Sequence, residues 1–570
     1  MRDLVLRAPT FAALMLVATA STQLVDTPSV VAAVSSKAKA KPKPAAKVAA
    51  KAKPKAKVTA KPKATASKSK AKPKAKPTKA KAKPRVPAAP VFVAIGDAPA
   101  VGPHTLAATS TPAERAAAKI EALYQGPLAQ GRTSIYVADA ATGETLFAVE
   151  PDRPVNPASN VKLLSTAAAL DLLGADYRYP TRVIGTPADS AGVVHGGVYL
   201  RGSYDPTLTG AGVRELGAQL AASGVRRVDG DVVIGDVGTR DGLYRAGVSV
   251  TITAGALGKP AVATLPAGYD LVEVDVRATK TRKKRGSLQF RQESFTDDDG
   301  HARVRLIVSG PIGRNRSAEH YISFDTLRAH HAAHLLRASL RQAGVEVTGD
   351  VRVGDFDAFV ASRTSADALP EPLAEHLSEP LAAIVAQVNK RSINWLADRV
   401  IMTAAAARYD EAPSMSRAIE AMHGWLDEQA GVEPGAGPET DGIFVDTGSG
   451  LSHRTQFSAR HIVNVLRRAG GYQDGDVPAS APAYLASLSI AGVDGTLRRR
   501  LQGATVRGRV RAKTGTLASV TTLAGFAGTD GGHLVAFAVL VNGVTGGARA
   551  DARLLQDEIA ATLVTWAAAP

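Results

Sequence analysis

A chain of 570 residues with 45% apolar side chains is long enough for several packed cores, and it contains no cysteine. Disulfides, thiolate metal centres, iron–sulfur clusters and a cysteine nucleophile are therefore excluded. The net charge of +18 points at first to nucleic acid, but residues 37–85 hold nineteen lysines, one arginine and no acid, which leaves the rest of the chain at −2. The basicity belongs to a tail, and no nucleic-acid partner is expected of the folded body.

The first elements concern sorting. Arg2 and Arg7 flank a short start, residues 11–17 are an unbroken apolar run, and Ala18-Thr19-Ala20 offers a small-x-small cleavage signal. Residues 1–20 thus read as a signal peptide for export to the periplasm or another extracytoplasmic space; the run is far shorter than the ~20 apolar residues that span a bilayer. Residues 21–111 read as a tail and linker. Within them the near-repeat of Ala, Lys and Pro removes helix hydrogen bonds and repels itself, so an extended, disordered segment is expected. Such a segment is either a solvated spacer or an electrostatic attachment to an anionic cell-wall polymer or membrane surface.

Folded patterning begins at residues 112–124, an amphipathic helix pattern capped by Thr111 with Pro112 at its first position. Residues 134–139 and 144–149 alternate around Ala141-Thr142-Gly143 and predict a hairpin. Apolar spacing over 159–173 predicts a helix that stops at Gly174. Residues 185–354 turn strand-rich and read as an inserted module, with a basic run, Lys280-Thr-Arg-Lys-Lys-Arg285, that has no evident purpose. Helical patterns return at 380–408 and 414–429, followed by strand patterns at 507–513, 519–527 and 533–541 and a closing helix over 550–567. The expectation is one α+β domain, an antiparallel sheet flanked by helices, built from 112–184 and 355–570 and interrupted by the module at 185–354.

Three short motifs occur in order along that domain: Ser159-Asn160-Val161-Lys162, Ser392-Ile393-Asn394 and Lys513-Thr514-Gly515. The first pattern is cheap, since Ser36/Lys39, Ser67/Lys70 and Ser69/Lys72 repeat it within the tail. At Ser159 the context differs: serine and lysine three apart share one helix face, at the end whose free N–H groups suit an oxyanion. Serine needs an adjacent base to act as a nucleophile. Lys162 can serve if its pKa falls from about 10.4 toward 7–8, through desolvation and a like charge that Lys513 would supply. A serine–histidine–aspartate arrangement is not evident, because His330 and His331 sit on an ordinary helix pattern and His453 in a polar loop. Nothing in the sequence has metal-ligand spacing, and this chemistry calls for no metal or cofactor.

The set of motifs matches that of penicillin-recognising serine enzymes, and the chain resembles one family among them: the class C low-molecular-mass penicillin-binding proteins, D-alanyl-D-alanine carboxypeptidase/endopeptidases of peptidase family S13. The segments around the three motifs are similar to the family's, as are Asp446-Thr-Gly448-Ser449-Gly450-Leu451-Ser452 (with Thr447 as an extra residue), Ala491-Gly-Val-Asp494-Gly495-Thr496-Leu497 and Asp205-Pro206-Thr-Leu, where Ser203-Tyr204 stand in place of glycines. The resemblance implies a penicillin-binding-protein/β-lactamase-like transpeptidase domain carrying an insertion. It implies hydrolysis of peptidoglycan stem peptides by a serine D-Ala-D-Ala carboxypeptidase, with endopeptidase activity as a companion, and β-lactams as covalent inhibitors. Under it, Ser159 is the nucleophile and Lys162 the general base. Ser392 relays a proton to the leaving D-alanine, Asn394 holds the substrate amide and orients Lys162, and Lys513 attracts the terminal carboxylate. Thr514, Gly515 and Thr516 bind substrate, and the backbone N–H groups of Ser159 and Thr516 form the oxyanion hole. No glutamate resembles the deacylating residue of class A β-lactamases, so slow deacylation is expected. Two other readings stay open on the residues alone: a β-lactamase-like hydrolase, and a catalytically idle cell-wall-binding protein.

Overall fold

The computed structural model describes residues 92–94, 112–124, 132–235, 247–283, 286–298, 300–314, 316–324, 327–362, 371–430, 442–473 and 476–566. The expected signal segment and all of the tail except 92–94 lie outside the described residues. Those three depart from the linker reading: Phe92–Ala94 is a strand paired antiparallel with Thr145–Val149.

The described residues divide into two compact units, one containing Pro180–His376 and the other containing those up to Tyr179 and from Leu377 onward. The second unit is organised on a seven-stranded antiparallel sheet in the order Phe92–Ala94, Thr145–Val149, Arg132–Asp139, Leu534–Asn542, Val520–Gly528, Val510–Leu517, Ser489–Ile490. The central strands are buried along almost their whole length, so both faces must be covered. On one face Tyr136, Ala138, Phe526, Ala536, Ala538 and Leu540 pack against the helices Val161–Leu173, Leu381–Arg391, Asn394–Tyr409, Met415–Ala430 and Ala459–Ala469. Alternate residues of the same strands, Ile135, Val137, Phe537, Val539 and Val541, pack on the other face with Pro112–Tyr124 and Gly546–Val564. The hairpin between the first two long strands is closed by Asp139, whose Oδ1 accepts from the N–H groups of Ala141 (2.9 Å) and Thr142 (2.8 Å), with Gly143 at φ +78°.

Two elements differ from their sequence patterns in ways that matter below. The helical stretch 380–408 is two helices, because Ser392 takes a left-handed backbone (φ +54°, ψ +47°) and caps the first while Asn394 opens the second. The strand expected at 507–513 runs instead over Val510–Leu517, since Gly508 (φ +81°) turns the chain just before it. The Lys513-Thr514-Gly515 motif therefore lies inside a strand, paired with Thr522–Ala524 of its neighbour.

The unit containing Pro180–His376 carries a mixed five-stranded sheet (order Val351–Val353, Val232–Ile234, Val198–Arg201, Pro180–Ile184, Pro372–Leu377), two three-stranded sheets of longer strands, two small parallel sheets and the paired helices Gly210–Ala222 and Arg328–Gln342. Its edge strand 372–377 and the neighbouring strand 180–184 fall outside the 185–354 division read from the sequence, yet they complete this sheet. Its own core gathers Val183, Leu200, Leu216, Val232, Leu306 and Leu336.

Phe537 sits fully buried at the middle of the seven-stranded sheet. Phe537→Ala is expected to remove about 3–5 kcal/mol of stability, read as a lowered chemical-denaturation midpoint with an unchanged slope.

Candidate active site

The segment ahead of the first motif is anchored to the sheet. Asn156 donates its backbone N–H to Asn542 Oδ1 (2.9 Å), and Asn542 Nδ2 donates back to Asn156 O (2.9 Å). Asn156 Oδ1 accepts from the N–H of Ala158 (2.8 Å), while its Nδ2 donates to Ser452 O (2.9 Å). Thr522 Oγ1, from the adjacent strand, donates to Pro157 O (3.0 Å). So braced, Ala158 holds a left-handed φ of +47°, a conformation that an alanine keeps only under such constraint. Ser159 follows in a single 3-10 turn, Ala158–Asn160, and the α-helix starts at Val161, two residues later than the sequence pattern.

Lys162 projects from that first helical turn and is fully buried. Its Nζ lies 3.0 Å from Ser159 Oγ, 2.7 Å from Asn394 Oδ1 and 2.5 Å from the carbonyl oxygen of Ser449. The Ser449 carbonyl and the Asn394 amide oxygen can only accept. A neutral amine has two N–H donors and one lone pair, so it satisfies both acceptors and leaves the lone pair for the hydroxyl of Ser159. Burial lowers the Lys162 pKa to about 7, and the nearby Asp398 carboxylate acts in the opposite direction.

The other two motifs meet beside it. Lys513, also fully buried, donates to Ser392 Oγ (2.8 Å) and to Thr514 O (2.7 Å). The left-handed turn at Ser392 is what aims that hydroxyl at the strand. Burial pushes the Lys513 pKa well down, and the charge of Lys162 adds to the depression. This revises the expected electrostatics: desolvation governs Lys162, and the like-charge effect acts on Lys513. Thr514 Oγ1 donates to Thr496 Oγ1 (2.9 Å), and the exposed Thr516 donates to the carbonyl of Gly515 (2.8 Å). Gly515 must lack a side chain, since a Cβ there would lie 2.2 Å from Thr522 Oγ1 and 2.8 Å from Pro157 O. Strand and serine turn can meet only over that glycine.

The eight expected residues thus form two bonded groups, Ser159–Lys162–Asn394 and Ser392–Lys513–Thr514, with Gly515 packed on the serine turn and Thr516 at the exposed edge. Several supporting residues had no assigned role in the sequence reading. The Ser449 carbonyl is one, and no residue type announces a backbone acceptor. Ser165 Oγ secures the same loop by donating to Gly448 O (2.8 Å), and Asp446 accepts from Ser452 Oγ and Thr455 Oγ1 (both 2.6 Å). Asn389, fully buried, donates to Thr166 Oγ1 (3.1 Å) and Ser487 Oγ (2.8 Å), tying the second motif to the helix of the first. Lys390 pairs with Asp494 at 2.5 Å, which in turn accepts from the N–H of Ile490 at 2.8 Å. Asp398 lies one turn beyond Asn394, facing Gly448 and Ser449; burial raises its carboxyl pKa and the charge of Lys162 opposes the rise. Each of these polar residues lies within a motif-bearing segment, so proximity to the motifs was the available signal.

An NMR titration of Lys162 Nζ should find its midpoint near 7 rather than near 10.4. Asp398→Asn removes the charge that raises that midpoint, so the Lys162 midpoint should drop further, with the site still folded; a midpoint unmoved by this variant would show that Asp398 does not act on Lys162.

Comparison with known proteins bears on the same residues. The model of the D-Ala-D-Ala carboxypeptidase 3 (S13) family matches residues 116–246 and 242–566. The D-alanyl-D-alanine carboxypeptidase of Actinomadura sp. strain R39 is 31% identical over 500 residues, covering 79% of this chain and 84% of that one. The D-alanyl-D-alanine carboxypeptidase DacB of Haemophilus influenzae is 26% identical over 411 residues, 68% of this chain and 81% of that one. Among solved structures, penicillin binding protein 4 of H. influenzae in complex with a β-lactam superposes with a TM-score of 0.55 at 22% identity, covering 79% of this chain and all of that one, which establishes a shared fold. The two matched spans of the family model take in all three motifs and run through the last described helix, so the chain belongs to the D-Ala-D-Ala carboxypeptidase 3 (S13) family.

Proposed function

We propose that the chain is a serine D-Ala-D-Ala carboxypeptidase, with D,D-endopeptidase cleavage as a companion activity, acting on peptidoglycan stem peptides through an acyl-enzyme on Ser159. The observation that carries this reading is the dry three-way grip on Lys162 Nζ by Ser159 Oγ, Asn394 Oδ1 and Ser449 O. A neutral lysine so held is a base already aimed at the serine proton. The substrate class is supported by the names of the two relatives above, each a D-alanyl-D-alanine carboxypeptidase.

In this mechanism Lys162 takes the Ser159 proton as Oγ attacks the carbonyl of the penultimate D-alanine. The oxyanion that forms is met by the backbone N–H groups of Ser159 and Thr516. Lys513, with Thr514 and Thr516, receives the terminal carboxylate of the substrate. Collapse of the tetrahedral intermediate breaks the C–N bond, and the leaving D-alanine amine receives, through Ser392, the proton that Lys162 took from Ser159, which returns Lys162 to its neutral form; Lys513 holds the Ser392 hydroxyl. Water then attacks the ester with Lys162 again as base. A β-lactam would acylate the same Oγ, and with no second carboxylate base assigned to deacylation the adduct is expected to persist.

Labelling with a fluorescent penicillin tests the assignment. The wild type should carry a stable label and Ser159→Ala none. Lys162→Arg should slow acylation by about 10²–10⁴, because a guanidinium does not deprotonate. Rapid loss of the label would favour a β-lactamase, and no label on the folded wild type would favour an idle wall-binding protein.

We place the protein outside the cytoplasm, in the periplasm or an equivalent space, on the strength of the export pattern in residues 1–20; among the described residues no helix is long and apolar enough to cross a membrane. The Lys-rich segment then serves as an electrostatic anchor to anionic wall polymer or membrane. Deleting residues 21–88 should release the protein from envelope fractions at lower salt while leaving turnover of small soluble substrates intact. Loss of that turnover would count against a pure anchor.

A further inference from the structure

The basic run at 280–285 has no part in the chemistry above, and the fold gives its described residues, 280–283, company. Three segments far apart in sequence converge in the unit containing Pro180–His376. Lys280 donates its N–H to Lys259 O (3.3 Å), Thr281 to Ile312 O (2.9 Å), and Arg314 to Lys283 O (3.1 Å). The strands Thr279–Lys280 and Pro311–Ile312 pair in parallel register, Thr279 opposite Pro311 and Lys280 opposite Ile312. The result brings Lys259, Lys280, Arg282, Lys283, Arg314 and Arg316 to one place. Residues 255–264, 277–288 and 309–318, which make up these segments, contain no aspartate or glutamate.

Five of the six cations are exposed and Lys280 is half-buried. Among the described residues none of them forms an ion pair. Many other arginines of the unit behave differently: Arg277 is paired with Asp275, Arg303 with Asp297, Arg305 with Glu273, Arg337 with Asp270 and Arg352 with Asp231. A fold that partners so many of its other arginines but gathers six cations without an ion pair leaves a repulsion that an external anion would relieve. A cavity of about 350 Å³ opens beside them, bounded by Gly286, Leu288, Pro311, Gly313 and Arg316.

We propose that this cationic cluster docks an anionic polymer with repeated phosphodiester groups, holding the protein against the envelope independently of the tail. Three arginine forks suit phosphate oxygens, and charge distributed over three loops suits a ligand with many spaced anions. A lipid surface fits less well, because Leu257 is the one large apolar side chain exposed among these loops and no aromatic accompanies it.

The test uses the full chain with synthetic poly(glycerol phosphate) as the probe and lysine acetylation as the footprint. At 150 mM salt the polymer should slow acetylation of Lys259, Lys280 and Lys283 at least fivefold, while Lys119, on the exposed face of its helix, stays as reactive as before. In the full-length variant Arg282→Ser/Lys283→Ser/Arg314→Ser/Arg316→Ser, protection of Lys259 should be lost with penicillin labelling unchanged. Unprotected cluster lysines beside protected tail lysines would overturn the proposal. So would protection by phosphatidylglycerol vesicles but not by the polymer, or undiminished protection of Lys259 in the quadruple variant. The readout is binding, so it stands or fails apart from the assignment of Ser159 chemistry.

Discussion

Removing the Lys162 ammonium group from water is the constraint on which the rest of the catalytic unit depends. A lysine in solvent is protonated and useless as a base; buried among acceptors with about 7 as its pKa, it is half neutral near physiological pH. That state requires walls on every side. The serine turn supplies one, Asn394 a second and the Gly448–Ser449 backbone a third, and these come from segments separated by 232 and 287 residues along the chain. The hydrogen bonds of Ser165 to Gly448 and of Asn389 to Thr166 then lock the walls to the lysine's own helix. Lys513 adds a second desolvated amine, and its closeness to Lys162 makes the Lys513 proton easier still to give up.

Bringing these segments so close demands backbone that few residues adopt. Ala158 and Ser392 are both left-handed without being glycine, and both stand next to or within a motif. Each costs of the order of 1–3 kcal/mol, which is sustained only where surrounding contacts over-determine the conformation. Asn156, Asn542 and Thr522 do this for Ala158, while the junction of two helices does it for Ser392. Glycine takes over where side chains cannot fit at all. At Gly450 a Cβ would fall 2.0 Å from the carbonyl oxygen of Ala158, so the loop that grips Lys162 can also press on the serine turn.

The unit containing Pro180–His376 handles charge by two different rules. Asp270 shows the first: half-buried, it accepts from His334 Nδ1 at 2.5 Å and is paired with Arg337, so that a carboxylate and its partners satisfy one another. The cationic cluster shows the second, since its members are left for solvent or a ligand to answer. The contrast is informative because both arrangements occur in one unit with the same supply of acidic residues.

Much of this was legible in the amino-acid order. The strand alternation, the turn chemistry around Asp139 and Gly143, the helix stop at Gly174 and the three motifs follow from local preferences, and local preferences act within a few residues. The spacing of Ser159 and Lys162 along one helical turn determined that they would touch. What the order left open were meetings across long separations: the break in the 380–408 helix at Ser392, the carbonyl of Ser449 as a lysine partner, the small sheet that gathers Lys259, Lys280 and Arg314, and the shift of the Lys513 strand by three residues. A backbone acceptor has no residue type to betray it, and a left-handed serine looks like any serine until packing imposes the turn. Local sequence thus determined the groups that do the chemistry; burial, which sets the proton affinity of Lys162 and Lys513, was decided by tertiary packing alone, because desolvation depends on everything that surrounds a charge.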